Sequence, residues 1–494
     1  MRTSLSHPLQ IDEVATRVGG IIGLTICPGK VQAISWSGPW DRSLEVDVAA
    51  ISEWGARAVV TLVTKKELEA LGIAGLGDAF RKEGITWFHL PINDVDVPDA
   101  DWERSWALAS PILHRLLADR GRVLVHCRAG LGRAGTVAAV LLAEEGVHAP
   151  EAIAIVRAAR PGAIQTQKQE EYVVDKAERF AAAFADRAKG ALLGLAVGDA
   201  LGTTLEFSRR DERPKHTEMT GGGPFGLEPG VWTDDTSMAL CLADNLLANG
   251  GLEPHDLMQR FGRWWREGEN SPVGRCFDIG TTTYEALARF ERTGDPNSGD
   301  SSINSAGNGS LMRLSPIALF FKDDETQARA AARRQSEATH AATECLDACD
   351  WFAGLLVRAI NGDSFEDLFR YETPVYGPKV SAVAAGSWRH KSRSDICSSG
   401  YVIDTLEAAV WAVSQASSFE EAVIIAVNLG DDSDTVGAVT GQLAGAIWGY
   451  ASIPERWTKK LAWRTHIEQV AVDLLRSGAK ASERQIGSTM SVGV

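Results

Sequence analysis

The sequence predicts a multidomain chain: an α/β domain with a central, mainly parallel sheet, followed by an all-α domain. Three observations lead there. Short β-rich runs alternate with helical patterns through the opening third, as they do when helices cover a parallel sheet. Beyond residue 186 the β signals fade and apolar residues recur at helical spacing. The 494 residues exceed one ordinary domain, and with no Pro- or Gly-rich linker the change in character near Asp186 marks the boundary. The expected division is residues 1–186, residues 187–476 and a disordered tail, 477–494.

In the first part, Ala58-Val59-Val60-Thr61-Leu62-Val63 is an uncharged, β-branched run of the kind buried in a parallel sheet. Residues 65–80 follow as a helix, 86–90 as a second strand, 101–120 as an amphipathic helix and 122–126 as a third strand. Helices are then expected over 137–145 and 150–160, and over 165–189 with Tyr172, Val173, Ala177, Phe180 and Phe184 on the apolar face. In the second part the helical pattern covers 188–201, 237–248, 254–267, 281–292, 325–336, 343–361, 401–416, 419–428 and 435–450. The polar motifs lie in the loops between them.

A formal net charge of −15 argues against a general binder of nucleic acid or anionic membranes, so nucleic acid is expected only as a modified substrate. Splitting the chain near Asp186 leaves −4 on the first part and −11 on the second. The seven cysteines are odd in number, scattered and without CxxC spacing, which speaks against a disulfide or zinc framework and for a reducing cytoplasm. Residues 1–30 lack the order of a signal peptide, and no apolar run is long enough to span a membrane. A cytoplasmic protein with no membrane partner is expected.

After the third predicted strand comes His126-Cys127-Arg128-Ala129-Gly130-Leu131-Gly132-Arg133-Ala134-Gly135-Thr136. Gly130, Gly132 and Gly135 fit a dinucleotide fingerprint, but that reading needs a returning strand where 150–160 is helical. The alternative rests on Cys127 and Arg133. A thiol becomes a nucleophile when a helix N-terminus and a cation lower its pKa, and the same backbone N–H groups cradle a phosphate that an arginine can fork.

This stretch, with Pro91 to Asp99 and Arg160 to Gln165, resembles the cysteine-dependent tyrosine and dual-specificity phosphatases, most closely the cyclin-dependent-kinase-associated type, over about residues 20–180. The resemblance implies Cys127 as nucleophile through a phosphocysteine, Arg133 as phosphate clamp, and Asp94 as the acid for the leaving oxygen, with Asp96 and Asp99 as rivals. Arg128, Gly130 and Gly132 would contact the phosphate, and no cofactor is implied. Ala134 stands where many relatives carry Ser or Thr. A domain that only binds a phosphorylated ligand is therefore the alternative.

Further on, Gly430-Asp431-Asp432-Ser433-Asp434-Thr435 packs carboxylates and hydroxyls between an apolar run and a small-residue segment. On a solvated turn water and salt would neutralise such a cluster. In a buried setting it calls for a hard cation with oxygen ligands. Val231-Trp232-Thr233-Asp234-Asp235-Thr236 repeats the chemistry at a helix start, where a cap needs one oxygen and four oxygen-bearing side chains are offered. The two look like halves of one site.

These stretches, with Gly198 to Phe207, resemble the ADP-ribosylglycohydrolase family, in its dinitrogenase-reductase-activating branch, over about residues 186–470. The resemblance implies two Mg²⁺ or Mn²⁺ ions held by Thr233, Asp234, Asp235, Asp432, Asp434 and Thr435. It implies catalytic roles for Glu206 and for Asp278 in the Cys276 to Thr283 loop, leaving open which is the general base. Gly307, Asn308, Gly309 and Ser310 would meet the pyrophosphate of ADP-ribose, while His340 reads as structural. The expected function is a bifunctional hydrolase acting on an ADP-ribosylated protein or small molecule, arginine-linked by preference, and on a phosphorylated substrate. A non-catalytic ADP-ribose-binding module is the reading from another class.

Overall fold

A computed structural model describes residues 1–35, 38–370 and 374–491. The chain separates into two compact units, Met1–Ala182 and Ala183–Val494.

The first unit contains β1 (Asp12–Ala15), β2 (Ile21–Thr25), β3 (Val31–Gln32), β4 (Trp40–Asp41), β5 (Ala56–Thr61), β6 (Thr86–His89) and β7 (Arg122–His126). Its helices are α1 (Leu44–Glu53), α2 (Lys65–Ala70), α3 (Leu76–Lys82), α4 (Ala100–Ala118), α5 (Gly132–Glu144) and α6 (Ala149–Ala159). The main sheet has the order β1-β2-β7-β5-β6. Its strands are parallel except for β1, which pairs antiparallel with β2. The register sets Thr25 and Thr61 beside His126, so β2, β5 and β7 end level and the loop after β7 leaves the carboxyl edge of the sheet. In open α/β sheets that edge is where ligands bind.

Two sequence expectations change here. The helix read over 65–80 is two, α2 and α3, because Gly72 takes a positive φ of 71° and turns the chain. The strands β1 and β2, which the opening residues did not announce, complete the sheet.

The helix α7 (Gln167–Gly202) unites the two helices expected over 165–189 and 188–201. The second unit adds α8 (Asp234–Asn249), α9 (Pro254–Glu267), α10 (Thr281–Thr293), α11 (Ser315–Phe320), α12 (Glu325–Glu337), α13 (Thr343–Asn361), α14 (Phe365–Leu368), α15 (Pro378–Ala384), α16 (Val402–Ser414), α17 (Phe419–Val427), α18 (Ser433–Trp448), α19 (Glu455–Thr458) and α20 (Arg464–Ser491). Helix α20 runs past residue 477, where the sequence reading expects structure to end, and Gly478 lies against the Phe320 carbonyl, 2.0 Å from where a Cβ would be. Among the described residues no helix is long and apolar enough to cross a membrane.

One packing feature positions the chemistry. Along α7, a Cβ at Gly190, Gly194, Gly198 or Gly202 would stand 2.2, 2.2, 2.0 or 2.3 Å from the carbonyl of Gly445, Gly441, Gly437 or Ser433 on α18. Four-residue spacing puts these glycines on one face of each helix. The main chains therefore touch, and Asp199 near the end of α7 meets the start of α18 at Asp434.

Candidate active sites

At the carboxyl edge of the first sheet, β7 delivers Cys127 and α5 begins at Gly132. Cys127 and Arg133 are both buried. Gly130 has a φ of 68° and any Cβ there would meet the Thr25 carbonyl at 2.2 Å, so the loop admits no side chain at that turn. Arg133 is held from several directions. Its Nη1 and Nη2 donate to Glu67 Oε2 and Oε1 at 2.8 and 2.9 Å, Nη1 donates to the Ile92 carbonyl at 2.9 Å, and Nη2 pairs with Asp94 Oδ1 at 2.8 Å. Burial works against ionisation of Glu67, but hydrogen bonds from Arg133 and Thr64 win and hold its carboxyl below the usual range.

Of the three aspartates weighed as the acid, Asp94 faces Arg133. Asp96 accepts from the Val97 N–H and from Lys168 Nζ, and Asp99 caps α4 through the Trp102 N–H at 2.8 Å. Arg128 is half-buried, and its carbonyl accepts from Lys30 Nζ at 3.4 Å. Behind the loop, burial pushes His126 down to about 3, and its Nε2 meets Thr61 Oγ1 at 2.8 Å. Glu67 escaped the sequence reading. Its signal was the T-x-x-E capping box with Thr64 at the start of α2.

In the second unit, the starts of α8 and α18 and the end of α7 converge. Among the described residues, carboxylate oxygens of Asp199, Asp235 and Asp434 lie within 4.8 Å of one another, and so do those of Glu206, Asp432 and Asp434. Asp434 belongs to both triplets. Asp199 accepts from the Thr233 N–H and Oγ1, both at 2.9 Å, and from the Thr236 N–H and Oγ1 at 3.1 and 2.6 Å. Thr233 Oγ1 also points at Asp235 Oδ2 (3.0 Å) and Asp434 Oδ2 (3.3 Å). Thr435 lies beside Asp432, and its N–H donates to Asp434 Oδ1 at 2.8 Å.

No lysine or arginine forms an ion pair with these carboxylates among the described residues, and the buried Asp235 Oδ1 has no hydrogen-bond partner. Burial pushes Asp199 and Asp432 up to about 7 and Asp278 up to about 8, with repulsion from Asp434 next in each case, and drives Glu206 far up for the same two reasons. An all-oxygen set that repels itself and keeps a buried oxygen unpaired fits hard divalent cations.

The match to known proteins follows the same division. The family model described as ADP-ribosylglycohydrolase matches residues 181–484, more than half of the chain. The chain belongs to the ADP-ribosylglycohydrolase family. A second model, described as a Swiss Army Knife protein DSP-PTPase phosphatase domain, matches residues 26–173. The ADP-ribosylarginine hydrolase Tri1 of Pseudomonas putida (strain GB-1) is 46% identical over 298 residues, 60% of this chain and 80% of that protein. Mouse cyclin-dependent kinase inhibitor 3 is 31% identical over 150 residues, 30% of this chain and 69% of that protein. A solved structure titled as an ADP-ribosylglycohydrolase-related protein complex matches with 43% identity and a TM-score of 0.54, covering 60% of this chain and 99% of its own. The chain is thus an ADP-ribosylglycohydrolase-family hydrolase joined to a dual-specificity-phosphatase-like domain.

The glycohydrolase cleft, about 710 Å³, is lined by Glu206, Asp234, Asp278, Asp432, Asp434 and Thr435, and by Gly307, Asn308 and Gly309. Asp234 lies outside both triplets; burial, then Asp278, pushes its carboxyl up. Asn308 lines the cleft, and its Nδ2 donates to Asp432 Oδ2 and Thr405 Oγ1, both at 2.8 Å, steadying a carboxylate. Ser310 turns away from the cleft, because its buried hydroxyl is taken by Ser336 Oγ and Cys349 Sγ at 2.8 and 3.4 Å. His340, read as structural, lines the cleft, and its ring lies 2.8 Å from where a Gly309 Cβ would be.

Asp199 has no place in the sequence-level ligand set, although the Gly198 to Phe207 stretch drew attention to it. Three of the nine non-glycine residues with positive φ among the described residues fall here: Phe207, Asp278 and Asp431 have φ of 59, 57 and 56°, and each adjoins or is a site carboxylate.

Proposed function

We propose that the chain is a bifunctional hydrolase, cleaving the glycosidic bond of ADP-ribosylated arginine in one unit and a phosphomonoester in the other. What carries the first activity is the pair of carboxylate triplets sharing Asp434. Asp199, Thr233, Asp235 and Asp434 would hold one divalent cation, and Glu206, Asp432, Asp434 and Thr435 the other. Such cations, Mg²⁺ or Mn²⁺, supply Lewis acidity toward ribose hydroxyls.

The chain's own residues do the rest. Asp278 stands outside both triplets, free of ligand duty, and is assigned the proton of the attacking water. As the water oxygen bonds to the anomeric carbon, the carbon–nitrogen bond breaks with its electron pair going to nitrogen, one water proton goes to Asp278, and the neutral guanidine so released takes up that proton from Asp278 to become guanidinium. Gly307 and Gly309 offer backbone to the pyrophosphate, and Asn308 keeps Asp432 in place. The similarity to an ADP-ribosylarginine hydrolase supports arginine as the bearer.

In the phosphatase-like unit, the Cys127 sulfur attacks phosphorus, Arg133 stays oriented by Glu67 while its Nε and the Nη2 hydrogen given up by Asp94 take two non-bridging oxygens, and Asp94, released from Arg133 and in its acid form, protonates the leaving oxygen. Water then takes the phosphoryl group from sulfur. A second reading, that this unit only binds its phosphorylated ligand, is favoured by Ala134, which brings no hydroxyl to the thiolate.

The test follows Mg²⁺- or Mn²⁺-dependent release of ADP-ribose from ADP-ribosylarginine and hydrolysis of an aryl phosphate. Asp434→Ala is expected to remove the first and spare the second, and Cys127→Ser the reverse. ADP-ribose release surviving Asp434→Ala would overturn the assignment. Absence of aryl phosphate turnover in the unmodified chain would favour the binding-only reading.

A further inference from the structure

A second cavity lies behind the wall of the glycohydrolase cleft. Two segments build that wall: the Phe207 N–H donates to the Asp431 carbonyl and the Asp431 N–H to the Ser208 carbonyl, each at 2.8 Å. Glu206, Phe207, Asp431 and Asp432 face the cleft. Leu205, Ser208 and Gly430, from the same two segments, line a separate cavity of about 380 Å³.

Charge inverts across the wall. Arg209, Arg210, Arg213, Lys215 and Arg393 line this second cavity against Asp211, in the part of the chain whose net charge is −11. Two of these cations hold the fold together. Arg210 donates to the carbonyls of Leu429, Arg393 and Ile396, and Arg393 forks Asp211 at 2.8 Å. Arg209, Arg213 and Lys215 are exposed, and among the described residues none has a carboxylate within ion-pair reach. The apolar part of the lining is made by Leu205, Trp411, Ile424 and Ile425.

We infer that this cavity binds a small organic phosphate the size of a nucleoside monophosphate. Its ring would lie on the apolar part of the lining and its phosphate among Arg209, Arg213 and Lys215. The volume falls within the roughly 300–1,000 Å³ of small-molecule sites. Inorganic phosphate would leave the apolar part in water, and a neutral nucleoside would leave the cations without a partner.

The experiment is calorimetric titration of the full chain carrying Asp434→Ala, which disables the cation cluster, with AMP, inorganic phosphate and adenosine. AMP is expected to bind on the order of tenfold more tightly than either fragment, and Arg213→Glu with Lys215→Glu to weaken it at least as much. In the chain with Asp434 intact, those two charge reversals leave ADP-ribosylarginine hydrolysis without AMP unchanged, since neither residue touches the cleft. AMP binding that survives the reversals belongs to another site and sinks the proposal, as does an absence of binding or a preference for an acidic peptide over AMP.

Discussion

The two candidate sites handle concentrated charge in opposite ways. In the phosphatase-like unit a single buried guanidinium, Arg133, is matched inside the protein by Glu67 and Asp94. In the glycohydrolase unit Asp199, Asp235, Glu206, Asp432 and Asp434 crowd together, with no ion-pairing cation among the described residues. A buried charge without a partner is costly. The first site is thus electrostatically complete as folded. The second has the make-up of a cation receptor, with carboxylate oxygens gathered and no protein cation among the described residues to balance them.

The strongest attempt to break this contrast removes Asp434, the carboxylate common to both triplets. Asp434→Ala is expected to lower ADP-ribosylarginine hydrolysis by on the order of 10³-fold or more and to abolish the rise in Tm that Mg²⁺ or Mn²⁺ gives, with aryl phosphate turnover unchanged. A metal-dependent Tm in that variant would show that the ions sit elsewhere.

Next comes the helix contact that assembles the ion receptor. Gly441→Ala places a methyl group 1.9 Å from the Gly194 carbonyl, and overpacking of this kind costs about 3 kcal/mol. Thermal unfolding should show this loss together with weaker cation binding. Loss of stability with cation affinity retained would uncouple the contact from the site.

On the other side of the comparison, Glu67→Gln removes the charge that orients Arg133. We expect KM for an aryl phosphate to rise roughly tenfold, in keeping with about 1.5 kcal/mol for a hydrogen bond to a charged group, and kcat to change less. A fall in kcat at constant KM would instead make Glu67 part of the chemistry.

The last test is a pH dependence in the first unit. Burial opposes protonation of His114, but hydrogen bonds to Glu144 and Glu145 prevail and raise it to about 9. A raised histidine stabilises the fold fully below its ordinary value near 6.5 and loses that contribution as pH rises through about 9. Denaturant unfolding from pH 6 to 10 should show declining stability, flattened by His114→Gln. An unchanged slope in that variant would point to another group.

Much of this was legible in the sequence because both motif sets are local. Cys127 and Arg133 lie six positions apart across one loop and the first turn of α5, and Asp432, Asp434 and Thr435 share one helix start, so their nearness could be read from spacing while the family resemblances implied their roles. Helical periodicity likewise announced the second unit. What stayed hidden depends on distance in space. Glu67 reaches Arg133 across 66 positions and Asp199 reaches Thr233 across 34, and no spacing rule links such pairs. Ser310 had the right neighbours but the wrong direction, since side-chain orientation is settled by packing. Residues 65–80 misled because a single glycine outweighed a helical pattern on both sides.

The glycine faces of α7 and α18 have one more consequence. Most binding sites can adjust their aperture by small rotamer changes in the residues between their supporting elements. Here main chain meets main chain at four successive levels, so the span from Asp199 to Asp434 is set by two backbones. Under the proposed function, cations of different radius would meet the same opening, and discrimination between them would become a property of two backbones in contact.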